Sequence, residues 1–206
     1  ERIIIAETGR AAQPREPVSI QSMTVHVETL KGDGRHVPPT IRDMAARESV
    51  TLIVVAMTEN SRRRIRRSTA RRLLFSSNVP VLLLPQGYEP PSTEDGSVIS
   101  HVVYATDWSR SSEKAFDFIL QFKQSIRALE LVHVVSSKLS VREMRGVKRR
   151  LAETRQKFLS EKIDAEFHIY AGERPKEIVL AARDYGASCV LMGANEDGFL
   201  RRWLAK

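Results

Sequence analysis

The 206-residue sequence carries a single cysteine, Cys189, inside the apolar run "ASCVLMG". An internal disulfide is therefore excluded, and a buried, inert thiol is the expected state. The five histidines, His26, His36, His101, His133 and His168, lack the paired spacing of a zinc or iron site, so no metal centre is expected. No window approaches the roughly 18 uninterrupted apolar residues of a membrane span. The N-terminus shows no succession of basic, apolar and small residues of the secretory type, and a cytoplasmic location is the expectation. Also missing are a strand followed by a Gly-rich loop with Lys-Ser/Thr, a Ser-His-Asp or Cys-His set tied together by spacing, and an acidic cluster suited to magnesium. An enzyme is not expected.

Positive charge is abundant, with a net charge of +8 from 33 Lys and Arg against 25 Asp and Glu. It is concentrated in "RRRIRRSTARR", Arg62 to Arg72, and "REMRGVKRR", Arg142 to Arg150. Such clusters suit phosphates, because neutralising them releases counterions. Neither run is interleaved with aromatic residues that would stack on single-stranded bases, and no helix-turn-helix or zinc-finger spacing accompanies them. Solvated basic helix faces are the favoured reading, and a basic-surface nucleic-acid binder is retained as an alternative.

At 42% apolar and 28% charged, the composition is that of an ordinary globular chain, long enough for one large or two small domains. An internal repeat organises it. "IRDMAARESVTLIVVAMTEN", Ile41 to Asn60, lies without a gap over "IVLAARDYGASCVLMGANED", Ile178 to Asp197, with Ala45 on Ala182, Ala56 on Gly193 and Glu59 on Glu196. Before each copy stands an alternating strand ending in Gly and an acid, "TVHVETLKGD" and "AEFHIYAGE".

In the second copy strand and helix alternate: "HVVYATDWS", then "SSEKAFDFILQF" with Ala115, Phe118, Ile119 and Phe122 on one face, then "LELVHVV" and a long basic helix "VREMRGVKRRLAETRQKFLSEK". "AEFHIYAG" follows, then "PKEIVLAARDYG", with Pro175 in a first turn and Gly186 at the stop, and "ASCVLMG". This alternation calls for right-handed crossovers and a parallel sheet covered on both faces. The copies are unequal. Only "TGRAAQPREP" separates "RIIIAE" from the Met23 strand, so either the first copy lacks a helix, strand and helix or the sequence omits residues of a longer parent; the second copy stops at Lys206 before a last helix and strand. Residues 1–85 are assigned to a partial first domain, 86–97 to a Pro-, Gly- and Ser-rich linker, and 98–206 to the second domain.

The ordered set, a strand ending "ATDWS", helix, "LVHVV", long charged helix, strand ending "AGE", helix, strand ending "VLMG", polar loop, basic helix and "VPVLLLP", resembles the universal stress protein family over nearly the whole chain. The resemblance implies a tandem member with two open, mostly parallel five-stranded sheets. Their fold would be Rossmann-like, of the adenine nucleotide alpha hydrolase type. It also implies an intramolecular pseudo-dimer paired through the last strands, which would bury a sheet edge. Further self-association and an unidentified protein partner are compatible with it.

Nucleotide-binding members of the family place an aspartate at the end of the first strand, the position of Asp107. They wrap the phosphates with Gly, two residues, Gly, nine residues, and Gly followed by Ser or Thr. Here Gly193 matches the first glycine, but Glu196 and Lys206 stand at the other two; in the first copy Ala56 and Glu59 replace two glycines, and Ser68 and Thr69 lie near the third position. The candidate nucleotide contacts are Thr106, Asp107, Val134, Gly193, Ala194 and Asn195. A side chain in such a loop blocks positive φ and close backbone approach. A glutamate about 4 Å from a phosphate charge adds roughly 4 kcal/mol of repulsion at intermediate dielectric, although Arg62, Arg63, Arg64, Arg201 and Arg202 are near enough in sequence to offset it.

Asp107 reads equally as a cap or turn residue ahead of "WSRSSEKAF", and Trp108 as packing rather than a base platform. The expectation is a non-enzymatic stress-response module with a degenerate nucleotide site. The alternative is an ATP- or AMP-binding switch using the Asp107 edge and the 193–196 loop.

Overall fold

A computed structural model describes residues 2–8, 18–20, 23–30, 37–56, 69–85, 98–135 and 139–194. The chain divides into two compact units, Glu1–Gln86 and Gly87–Lys206.

In the first unit β1 (Arg2–Thr8) pairs in parallel with β3 (Met23–Leu30), and β2 (Val18–Ile20) pairs antiparallel with β3 on its other side. Helix α1 (Val37–Arg47) begins Val-Pro-Pro, where the fixed φ of proline suits a first turn. Next come β4 (Ile53–Ala56), α2 (Thr69–Ser76) and β5 (Val81–Leu84), with β4 and β5 parallel. Met44 and Ala45 of α1, Ile53 of β4, and Ala70 and Leu73 of α2 are buried.

The second unit holds β6 (His101–Ala105), α3 (Arg110–Gln121), β7 (Ala128–Val135), α4 (Val141–Ser160), β8 (Ala165–Ala171), α5 (Arg174–Asp184) and β9 (Cys189–Met192). Its four strands among the described residues are all parallel, in the order β8-β7-β6-β9. Because successive side chains point to opposite faces, Val102, Tyr104, Leu129 and Leu131 face one way, onto Ala115 and Ile119 of α3 and Leu151 and Phe158 of α4. Val103, Ala105, Val132 and Val134 face the other way, onto Ile178 and Ala181 of α5. Phe158 anchors the larger core, edge-on to Tyr104 at 6.0 Å and against Phe116 at 4.6 Å.

Local signals set the helix ends. Ser109 caps α3, and Ser140 with Glu143 forms a capping box on α4. Pro175 lies in the first turn of α5, and Gly186 ends it at φ 59°. Of the face expected on α3, Ala115, Phe118 and Ile119 are buried, whereas Phe122 has become the C-cap and lies against Phe118 at 4.5 Å.

The five strands expected of each complete sheet do not all fall among the described residues, as the unequal copies anticipate. The described residues form one four-stranded parallel sheet in the second unit, and a three-stranded mixed sheet and a separate two-stranded parallel sheet in the first. β2 has no counterpart in the sequence reading. Only residues 21 and 22 separate it from β3, and so short a link permits only an antiparallel pair, because a parallel return needs a crossover of a dozen residues or more.

Candidate functional site

Strand order creates the site. From β6 the chain steps outward to β7 and β8 and then returns to place β9 on the far side of β6. Ligands of open α/β sheets bind in the crevice that such a reversal leaves at the carboxyl ends of the strands. Ala105 is level with Met192 across β6 and β9. Thr106 and Asp107 therefore leave β6 beside Gly193 and Ala194 leaving β9. Val134, near the carboxyl end of β7, is 7% exposed in the core packed against α5. Thus Thr106, Asp107, Gly193 and Ala194 come together, while the Val134 side chain belongs to packing. Asn195, Glu59, Ser68, Glu196, Lys206 and the arginines at 62–64, 201 and 202 lie outside the described residues.

The β6–α3 turn closes on itself. The Oδ1 atom of Asp107 accepts the Ser109 N–H at 3.0 Å and the Ser112 hydroxyl at 2.8 Å. The Ser112 N–H in turn donates to the Ser109 hydroxyl at 3.4 Å, the capping bond of α3. Asp107 is thus a turn residue two positions before the cap, not the cap itself. Burial opposes its ionisation, but the hydrogen bonds from Ser109 and Ser112 and the nearby Arg174 outweigh this and hold its carboxyl below the usual range. Tyr104 donates its hydroxyl to the Ser112 carbonyl at 2.7 Å, and burial pushes its pKa to about 12.

Gly193 has a steric reason for being glycine that does not involve a ligand. A Cβ there would lie 2.5 Å from the Ser111 carbonyl carbon and 2.5 Å from the Ser112 nitrogen. The end of β9 is therefore pressed against the first turn of α3, and only glycine permits that approach.

Two residues missed by the sequence reading, His133 and Arg150, join this edge around Trp108, which packs as expected. Thr106 accepts the Trp108 N–H on its hydroxyl at 3.1 Å, and its carbonyl accepts from His133 Nδ1 at 2.7 Å, which places the proton of a neutral His133 on Nδ1. Trp108 has φ 57°, an uncommon conformation for a bulky residue. Its ring lies against His133, at 4.2 Å, and against the Arg150 guanidinium, at 4.3 Å. Its indole N–H is buried without a hydrogen-bond partner among the described residues. Burial, aided by Arg174 and Arg150, holds the His133 pKa below its ordinary value despite the Thr106 bond. The alternation of "LELVHVV" places His133 on the α4 side, but no sequence signal pairs it with Trp108 or Arg150.

At the opposite end of the sheet, Glu130 bridges His101 Nε2 at 3.1 Å and His168 Nε2 at 2.7 Å, and Tyr185 meets His168 Nδ1 at 2.9 Å. Among the described residues no group of His, Cys, Asp or Glu is arranged to hold a metal ion, and no helix is long and apolar enough to cross a membrane. Burial raises the Cys189 thiol pKa to about 11, beyond the range of a reactive thiolate.

Comparison with known proteins places this geometry in a family. Among solved structures, the fold is similar to a universal stress protein from Archaeoglobus fulgidus at TM-score 0.62 and 17% identity, over 90% of this chain and 63% of that one. The chain thus spans less than two thirds of that relative's length. A universal stress protein family member from Burkholderia pseudomallei matches at TM-score 0.44 and 21% identity, over 53% of this chain and 89% of that one. No curated protein matches the sequence. The sequence profile of the Universal stress protein family matches residues 99–205, just over half of the chain, and the chain belongs to that family.

Proposed function

We propose that this protein is a non-enzymatic stress-response regulator, acting in the cytoplasm through a protein partner, in which the nucleotide site of the second domain has become structural. The reading includes a tandem arrangement of two domains of the same descent, each built on a five-stranded sheet and paired as a pseudo-dimer. The observation that carries it is the closure of the β6–α3 turn. Oδ1 of Asp107 is committed to Ser109 and Ser112, and Gly193 is required by its contact with Ser111 and Ser112. Neither residue needs a nucleotide to account for it. Glu196 and Lys206 at the remaining loop positions add side chains where phosphate wrapping calls for bare backbone.

One observation favours a second reading, an ATP- or AMP-responsive switch: Asp107 remains exposed at the strand-order reversal, beside the end of β9. Thermal unfolding and isothermal titration with ATP, ADP and AMP, with and without magnesium, separate the two. A ligand present at about 100 times its Kd stabilises the native state by roughly 2.7 kcal/mol. The structural reading expects no shift at low millimolar nucleotide. A saturable shift abolished in Asp107→Ala establishes the switch instead.

A further inference from the structure

We propose that the solvent face of α4 is a docking surface for the sugar–phosphate backbone of duplex nucleic acid, independent of the crevice at Asp107. The first half of this helix presents Arg142, Arg145, Lys148 and Arg149 to solvent. Arg142, Arg145 and Arg149 follow one another at i, i+3 and i+7, a single stripe opposite the buried Leu151 and Phe158 that rises about 10 Å along the axis. Each neighbour in the stripe is a like charge at helical contact spacing, and Arg142 stands in the first turn against the positive end of the helix dipole, so the arrangement opposes helix formation.

The protein does little to neutralise it. Arg142, Arg145 and Lys148 have no acidic partner among the described residues, and Arg149 reaches Glu153 only at 3.9 Å with both side chains exposed. Glu143, the acid of the first turn, uses its carboxylate to accept the Ser140 N–H at 2.8 Å and the Ser140 hydroxyl at 2.7 Å. Within the stripe stands Gly146, a residue unfavourable in a helix interior. Unlike Gly193, it has no steric reason for being glycine, because a Cβ there would meet nothing within 4 Å. A notch flanked by uncompensated guanidinium groups lets an anionic chain approach the helix backbone closely.

The composition of the face selects the partner. Protein interfaces depend on a desolvated aromatic or aliphatic centre and are depleted of charge there. On α4 the exposed apolar side chain of note is Val141, a single aliphatic residue at the helix start beside Arg145, too little to form such a centre. Single strands call for aromatic platforms, and no aromatic residue lies on the stripe. A duplex backbone requires only correctly spaced cations.

The test uses the whole chain, titrated into a labelled duplex of mixed sequence of about 20 base pairs over about 50–200 mM salt. The expected result is binding whose log–log salt slope is about −3, for three phosphates neutralised. Combined Arg142→Gln, Arg145→Gln and Arg149→Gln should weaken binding at least about tenfold and bring the slope near zero. Gly146→Leu should weaken binding several-fold with the helical circular dichroism retained, and Arg183→Gln on α5 should leave it unchanged. Absence of binding at low salt, or binding unaffected by the triple variant, overturns the proposal. Preference for polyglutamate, for anionic phosphatidylglycerol vesicles or for a single strand over the duplex also overturns it, and assigns the face to that other partner.

Discussion

Asp107 shows how one carboxylate is given its role by its neighbours. It follows a buried parallel strand, which suits a ligand contact, and precedes a helix, which suits a turn; its bonds to Ser109 and Ser112 realise the turn. These bonds and Arg174 lower its pKa, and burial with the same arginine and Arg150 lowers that of His133. Both shifts make stability depend on pH in the same direction. The unfolded chain protonates His133 from about pH 6.5 and Asp107 from about pH 3.9, before the folded chain does. The stabilisation is complete above each unfolded value and is lost as pH falls through the depressed folded one. Urea denaturation between pH 8 and pH 5 should therefore show declining stability, and His133→Phe should flatten that decline. A wild-type profile that rises toward pH 5 would contradict the burial of a neutral His133.

Between elements, close approach matters more than propensity. In the sequence Gly193 looks like the surviving member of a phosphate loop; in the fold it is where β9 meets α3. Gly193→Ala should cost about 1–3 kcal/mol in urea denaturation through overpacking against backbone. A neutral substitution would mean that the strand end shifts freely, and would return the glycine to a ligand role. The first turn of α5 at Pro175 and its stop at Gly186 were legible, because each depends on residues within one helical turn; the caps Ser109 of α3 and Ser140 of α4 were not singled out, although they are equally local. β2 was not: its pairing with β3 arises from a three-residue segment too short for any periodicity to register.

In the second unit as a whole, the sheet is buried on both faces, and the core beneath α3 and α4 is centred on Phe158, which has no exposed surface. Phe158→Ala should cost about 3–5 kcal/mol by equilibrium denaturation, since it removes the ring that links Tyr104 to Phe116 and leaves a cavity. A loss below about 1 kcal/mol would mean that the core collapses onto the vacancy. The sequence by itself determined the alternation of strand and helix, the parallel connections, the helix ends and the lone, unpaired thiol. Each follows from hydrophobic period, local capping or simple count. Only the tertiary structure decided the strand order and therefore the crevice, the meeting of Gly193 with α3, the contacts of Trp108 with His133 and Arg150, and the bridge from Glu130 to two histidines. Those contacts join residues far apart in the chain, and no local pattern encodes which side of β6 a later strand will take.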